Sequence, residues 1–178
     1  MKAIYILIFL SSLSCTRKDT LDMDQKNRLT INTFVRGRYS AGIKNCIIDY
    51  LLIDVCISNS SNSTIRFWSY SCDYNLIFVL NDPKYSIIYN NCDANYSKLI
   101  ELKPKQAYQV PLMVKLNNPG NATWSDFKVG FVSVFESQHN LKLDLEKIID
   151  KLKKNGEQIV WSNKVVTNPA NRNPYIIE

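Results

Sequence analysis

Alternating apolar residues in the stretch LLIDVCIS constrain the fold of this chain more than any other feature. Leu51, Ile53, Val55 and Ile57 occupy every second position, and the turn-forming run NSSNS follows them. A period of two residues places one face of a β-strand in a core and the other toward solvent. The pattern therefore predicts a half-buried strand that ends in a loop.

Further short segments rich in β-branched and aromatic residues follow along the chain, and such residues favour strands. They read TIRFWSYS, YNLIFVL, YSIIYN, LIEL, YQVPLMVKL, FKVGFVSVF and QIVWSNKVV. Pro111 cannot donate a ladder hydrogen bond, so its strand is expected at a sheet edge or at a bulge. The segment FKVGFVSVF is apolar on both faces near Phe131 to Val134, which predicts a central strand. Seven or more short strands at near-regular spacing indicate an all-β sandwich.

One segment, NLKLDLEKIIDKLKKNG, has a helical period instead. Its apolar residues fall at i, i+3, i+4 and i+7: Leu145, Ile148, Ile149 and Leu152. This is the stripe of an amphipathic helix, predicted at about 143–154. Asp144 or Asn140 could begin it, and Gly156 could end it in a left-handed conformation. The predicted fold is thus an immunoglobulin-like antiparallel β-sandwich with one amphipathic helix inserted before the last strand.

The first residues have the pattern of an export signal. Lys2 precedes the apolar run AIYILIFL and the small polar residues SSLS, which is the order found in a secretory signal peptide. The apolar run is too short to cross a bilayer, which takes about 20 helical residues. After Cys15 the chain becomes polar and charged, so Cys15 stands at the predicted boundary.

Leu13-Ser14-Cys15 resembles the end of a bacterial lipobox, in which the cysteine receives a diacylglycerol and becomes the new N-terminus. The usual pattern has Leu three residues before the cysteine and Ala or Gly directly before it, whereas Ser12 and Ser14 stand here. The match is to the looser form found in lipoproteins of the Bacteroidota type. The resemblance implies lipidation at Cys15, and two or more acyl chains give stable membrane anchoring. An ordinary cleaved signal with a cysteine near the cut is the alternative.

These boundaries divide the chain into a signal peptide at 1–14, a flexible tether at 15–29 and a sandwich domain at 30–178. The tether composition is polar, with several acidic residues, as in a solvated stalk. Asp19-Thr20-Leu21 also resembles the short motif at which exported proteins of the Bacteroidota type are O-glycosylated, which implies modification of Thr20. The implied location is the cell envelope, on an outer membrane facing the periplasm or the surface.

Four further cysteines are compatible with two disulfides in an exported chain. If Asn81 to Pro83 form a three-residue hairpin loop, Cys72 falls directly opposite Cys92, close enough for a disulfide. A loop of two or four residues would place them on opposite faces unless a bulge intervened. Cys46 and Cys56 either pair or stay reduced.

Aromatic residues are the candidates for ligand contact. Trp68 and Tyr70 share one face of the segment RFWSYS if the strand is regular, and such a shelf stacks on sugars or anchors a protein. Trp124 lies in the loop sequence NPGNATWSD, where a large aromatic has less reason to be buried. The alternative for each is a packing role.

Several functional classes find no support. His139 is the sole histidine, and no HExxH, phosphate-binding glycine loop or nucleophile elbow is present. No close Cys/His pairs suggest zinc, so we expect neither catalysis, a metal nor a cofactor. The net charge of +6 is dispersed, without an arginine-rich run, so we do not expect a nucleic acid partner.

The order of strands, polar turns and a proline-containing hairpin is similar to small immunoglobulin-like accessory domains of bacterial lipoproteins, including inhibitor-like ones. The function expected is a noncatalytic binding or assembly module that holds a protein or a glycan. The alternative is an inhibitor or immunity-type lipoprotein that inserts a loop into an enzyme. Fold alone does not decide between them.

Overall fold

The computed structural model describes residues 24–43, 46–90, 92–117, 125–136 and 144–167, and the side chains of these residues except 40–48. The described chain contains nine strands, a helical segment at 24–27, a short 3-10 helix at Tyr74–Ile77 and the helix α1 at Leu145–Asn155. The strands are β1 Leu29–Ile43, β2 Cys46–Asn59, β3 Ile65–Tyr70, β4 Phe78–Leu80, β5 Tyr85–Ile88, β6 Ser97–Leu102, β7 Ala107–Leu116, β8 Phe127–Val132 and β9 Ile159–Val165.

The first layer is an antiparallel sheet with the order β1-β2-β7-β5. Its stripe of alternating residues is buried as predicted, since Ile53, Val55 and Ile57 are each 0% exposed. If β1, β2, β5 and β7 are named A, B, D and E, this order is the A-B-E-D order of an immunoglobulin sandwich.

The second layer is built from the three-stranded sheet β4-β8-β9 and the pair β3-β6. β4, β8 and β9 take the C-F-G places of the same fold. The two parts are joined where Trp68 N–H donates to Val134 O at 2.7 Å and Glu136 N–H donates to Arg66 O at 3.3 Å. β8 is central in its sheet, as its apolar character on both faces predicts.

Aromatic rings from the two layers meet in the core. The ring of Phe67 on β3 lies 6.1 Å from that of Tyr108 on β7 and 5.0 Å from that of Phe131 on β8. Tyr85 on β5 and Phe127 on β8 make a second contact across the layers, at 4.6 Å. Such tilted and edge-to-face pairs add to the free energy gained from burying apolar area.

Helix α1 begins and ends at the residues that its sequence predicts. The side chain of Asp144 accepts a hydrogen bond from the backbone N–H of Glu146 at 3.1 Å, and Gly156 ends the helix in the left-handed region with φ 67°. Leu145, Ile149 and Leu152 are buried, and the helix packs against β8 and the 3-10 helix. The predicted fold class, with its helix before the last strand, is confirmed.

The predicted hairpin around Asn81 to Pro83 is wrong. β4 pairs with β8 and β5 pairs with β7, so the turn carries the chain from one layer to the other. The first half of the segment YNLIFVL is also the 3-10 helix and not a strand.

The Cys72–Cys92 disulfide is present, with its Cα atoms 6.2 Å apart. Its geometry comes from a different strand pair than predicted. Cys72 follows β3 and Cys92 precedes β6, and these two strands are antiparallel partners. The disulfide therefore closes the end of the β3-β6 pair.

Pro111 was expected on an edge strand or at a bulge. Its strand is not an edge strand, but Pro111 itself has no neighbour on one side among the described strands. β7 is an inner strand, between β2 and β5. β5 reaches only from Leu116 to Met113 along it, so none of the described strands faces Pro111 on the side away from β2. The missing N–H of proline consequently costs no ladder hydrogen bond there.

Candidate functional site

Several large apolar residues lie on the side of the four-stranded sheet that faces away from the core. Cross-strand pairing aligns its residues in rows that run across the strands. We call this surface the outer face and define it by its large apolar residues: Phe34, Tyr39, Tyr50, Leu52, Ile88 and Met113. A group of apolar residues on the surface of a folded domain marks an interaction site more often than an isolated exposed residue does.

Two tyrosines form the first row of the outer face. Tyr39 and Tyr50 are paired across β1 and β2, and their rings stack with centroids 5.6 Å apart and planes 24° apart. The ring of Tyr39 also covers Gly37, because a Cβ at Gly37 would lie 3.1 Å from it. Stacked, half-buried tyrosines present a rigid apolar surface with polar hydroxyl groups, a common composition of protein interfaces.

Aliphatic side chains form the second row. Leu52 pairs with Met113, and Met113 pairs with Ile88 on the next strand. All three are half-buried, although they lie on the side of the sheet that faces away from the core. Phe34 lies one row further along and is 62% exposed. A phenylalanine side chain this exposed forgoes most of the free energy that its burial would supply.

An ion pair stands beside these apolar residues. Arg36 Nε lies 2.5 Å from Asp54 Oδ2, and Asp54 is only 8% exposed. The other carboxylate oxygen of Asp54, Oδ1, is buried and has no hydrogen-bond partner among the described residues. An unpaired buried acceptor costs free energy, so Asp54 is held here at some cost in stability.

Cys56 also lies on this side of the sheet and is a free, half-buried thiol. Its Sγ lies 3.7 Å from Ser58 Oγ. Cys46 begins the same strand ten residues earlier, which places the two residues roughly 33 Å apart at the rise of a β-strand. The open question about these cysteines is thus answered, because they cannot form a disulfide within one folded chain.

Trp68 and Tyr70, predicted as ligand contacts, lie on β3 near the core. Trp68 is half-buried and packs against the core, while Tyr70 is 9% exposed. Burial, as the larger cause, and the nearby carboxylates of Glu146, Asp144 and Asp150 together raise the pKa of Tyr70 to about 12. These positions suit packing against the region of α1, and ligand contact by either residue stays a prediction.

The other predicted site residues lie outside the described residues. These are Cys15, Thr20 and Trp124. His139, which was not predicted as a site residue, also lies outside them. Among the residues that are described, no cluster of three or more His, Cys, Asp or Glu side chains could hold a metal ion. In the same ranges, no helix combines the length and the apolar character needed to span a bilayer.

The outer face was not predicted from the sequence, although its signal is present there. Leu52 and Tyr50 occupy the alternate positions of β2 that a half-buried strand reserves for polar residues. Apolar residues on both faces of one strand indicate that the second face is also covered, by this chain or by a partner. The rows formed with β1, β7 and β5 become visible only through the strand pairing.

The comparisons with known proteins give little further information. The sequence matches no protein-family model and no curated protein sequence. The crystal structure of a FixG-related protein from Vibrio parahaemolyticus is similar with a TM-score of 0.34 and 8% sequence identity, over 79% of this chain and 97% of that chain. A likeness at this level carries no argument about function.

Proposed function

We propose that this chain is a noncatalytic binding or assembly module of the bacterial cell envelope, tethered through lipid at Cys15, that holds a protein partner on its outer face. The observation that carries the proposal is the set of large apolar side chains on the outer face, from Phe34 on β1 to Ile88 on β5. Tyrosine, phenylalanine, methionine and arginine are enriched in protein interfaces, and all four occur on or beside this surface.

A protein partner suits this surface better than a small molecule. The residues of the outer face are spread over the four strands β1, β2, β7 and β5, an extent that suits a protein partner. Phe34 and the stacked pair Tyr39 and Tyr50 supply the aromatic anchors that dominate binding energy at protein interfaces.

The proposal is tested by capture from envelope extracts with matched variants. Phe34→Asp and Met113→Lys each place a charge on the outer face without disturbing the core, since both side chains are at least partly exposed. We expect a specific protein to be retained by the wild type and lost with both variants. Tyr96→Asp is the control, because Tyr96 is 66% exposed and lies outside the outer face. Retention of the same proteins by all four would refute the proposed surface.

The tether has an independent test. Cys15→Ala is expected to move the protein from the membrane fraction to the aqueous fraction, because its acyl chains are lost. Cys56→Ser is the matched control, since it removes a thiol from the folded part and leaves Cys15 intact. If Cys15→Ala stays with the membranes, the lipid anchor is wrong, while the outer face remains testable with the Phe34 variant.

One observation favours the alternative, an inhibitor that inserts a loop into an enzyme. β1 and β2 pair from Leu29 with Asn59 to Ile43 with Cys46, but β7 pairs with β2 no further than Tyr50. Backbone pairing beyond Tyr50 is therefore only between β1 and β2 in the described chain, as a two-stranded ribbon. Replacement of residues 42–47 by a short Asn-Gly turn separates the two functions. Loss of enzyme inhibition with the outer-face partner still retained would favour the inhibitor.

A further inference from the structure

Trp161 is a large exposed aromatic residue on the opposite layer of the sandwich. It lies on β9, is 42% exposed, and pairs with Gly130 on β8. A Cβ at Gly130 would lie 2.9 Å from Cζ3 of the Trp161 ring, 2.8 Å from Val79 Cγ2 and 2.6 Å from Ile159 Cγ2. Only glycine lets the ring settle this close to the strand, since any side chain would push it away. The indole is thus held against the sheet while much of it faces solvent.

Two lysines lie beside this tryptophan on the same surface. Lys128 pairs directly with Lys164 across β8 and β9, next to a register shift between Lys128 and Gly130. Like charges opposite each other in an antiparallel pair are destabilising. Asp126 Oδ2 lies 2.7 Å from Lys164 Nζ and offsets one charge, but Lys128 has no ion pair among the described residues. The patch therefore keeps an excess of positive charge.

The spacing of Trp161 and Lys128 sets the size of a ligand that can contact both. Lys128 and Gly130 are two residues apart on one strand, so they share a face at about 7 Å. A pyranose ring is of similar size, and its C–H groups stack on an aromatic face. A carboxylate on that ring would then reach the lysine ammonium groups. Opposed lysines and an exposed tryptophan are each unfavourable for stability, and such unfavourable features are expected at functional sites.

We infer that Trp161, Lys128 and Lys164 form a binding site for an acidic sugar, with the pyranose ring on the indole and its carboxylate between the lysines. A neutral sugar would leave the opposed lysines unmatched, and an inorganic anion would not use the tryptophan. This site goes beyond the proposed protein-binding function and lies on the other sheet. Its failure and the failure of the outer face are consequently separate results.

The test titrates the full chain with two oligosaccharides at low ionic strength. A hexasaccharide of alternating glucuronate and N-acetylglucosamine is the acidic probe, and chitohexaose is the neutral control. We expect the acidic probe to shift the indole N–H resonance of Trp161 and added salt to weaken that binding. The neutral probe should leave the resonance unchanged. An unshifted resonance with the acidic probe, or equal binding of both probes, would overturn the assignment.

Matched variants locate the site. Trp161→Ala should abolish binding of the acidic probe, and Lys128→Gln should weaken it about tenfold through loss of a charge-assisted hydrogen bond. Lys98→Gln is the control, because Lys98 is an exposed strand residue on β6, in the other part of that layer. Lys128 is an exposed residue, so its variant stays folded even if Trp161→Ala does not. Unchanged affinity in Lys128→Gln would contradict the role of the lysines.

Discussion

The side chain of Asn163, on β9, makes hydrogen bonds to Thr33, on β1, that a neighbouring strand would otherwise make. Its Oδ1 accepts hydrogen bonds from the backbone N–H of Thr33 at 2.7 Å and from the Thr33 hydroxyl at 3.0 Å. Thr33 is 6% exposed, so both donors are shielded from water. β1 and β9 belong to different sheets, and this one side chain therefore connects the two layers at their edge.

Removal of that side chain is expected to destabilise the whole domain. Asn163→Ala leaves the buried donors of Thr33 without a partner, which should lower the free energy of unfolding by about 1–3 kcal/mol. The midpoint of urea unfolding measures the loss. Asn32→Ala is the control, because Asn32 is exposed and lies next to Thr33 on β1, and its effect should stay within about 0.5 kcal/mol. Equal midpoints for the two variants would show that the edge contact contributes nothing.

Loss of the Cys72–Cys92 disulfide should also destabilise the fold. The bond spans 20 residues between β3 and β6, and closure of a loop of that size restricts the unfolded chain by about 3 kcal/mol. The double variant Cys72→Ser with Cys92→Ser avoids leaving one reactive thiol. We expect its unfolding midpoint to fall, and a reducing agent to shift the wild type to the same value. A reductant that shifts the wild type but not the variant would confirm this cause, whereas no shift in either would contradict it.

The pair β4 and β5 shows why strands are easier to predict than their partners. Each has the apolar composition of a strand, and turn-forming residues separate them, so local sequence favours a hairpin. The partners actually used are distant, since Phe78 pairs with Phe131 and Tyr85 with Leu116. The pairing depends on how the two sheets pack against each other. That packing involves residues far apart in the sequence, so the local pattern of apolar residues does not predict it. The disulfide was correctly predicted even so, from geometry that belongs to another strand pair.

The helix was predictable to within two residues because its signals are local. Asp144, the apolar stripe and Gly156 each act within one or two turns of chain. The outer face and Trp161 depend on contacts across strands instead. A glycine within a strand weakens it, so the sequence gives no reason for Gly130. The structure gives the reason, because the ring of Trp161 lies against Gly130 on the paired strand.

Tyr70 should make stability fall at alkaline pH. Its pKa is raised from 10.0 to about 12 in the folded protein, so below about pH 10 it is neutral in both the folded and the unfolded chain. As the pH rises from 10 toward 12, the unfolded chain loses the proton first, and the folded state is disfavoured. In urea titrations at rising pH, Tyr70→Phe should lose less stability over that interval than the wild type. Glu146→Gln should reduce the pKa shift, because its carboxylate disfavours the phenolate; parallel pH profiles for all three proteins would contradict this account.

Replacement of Gly156 should lower the free energy of unfolding through its backbone conformation alone. It ends α1 with φ 67°, and its N–H donates to the carbonyl oxygens of Leu152 and Lys153. A Cβ at this position would meet nothing within 4 Å, so no steric clash with the rest of the fold arises. Gly156→Ala should therefore lower the free energy of unfolding by only about 1 kcal/mol, the cost of a left-handed residue with a side chain. Gly156→Asn should cost less, since asparagine tolerates this conformation. Urea unfolding of the three proteins checks the order, and an alanine variant as stable as the wild type would show that the helix can end without a left-handed residue.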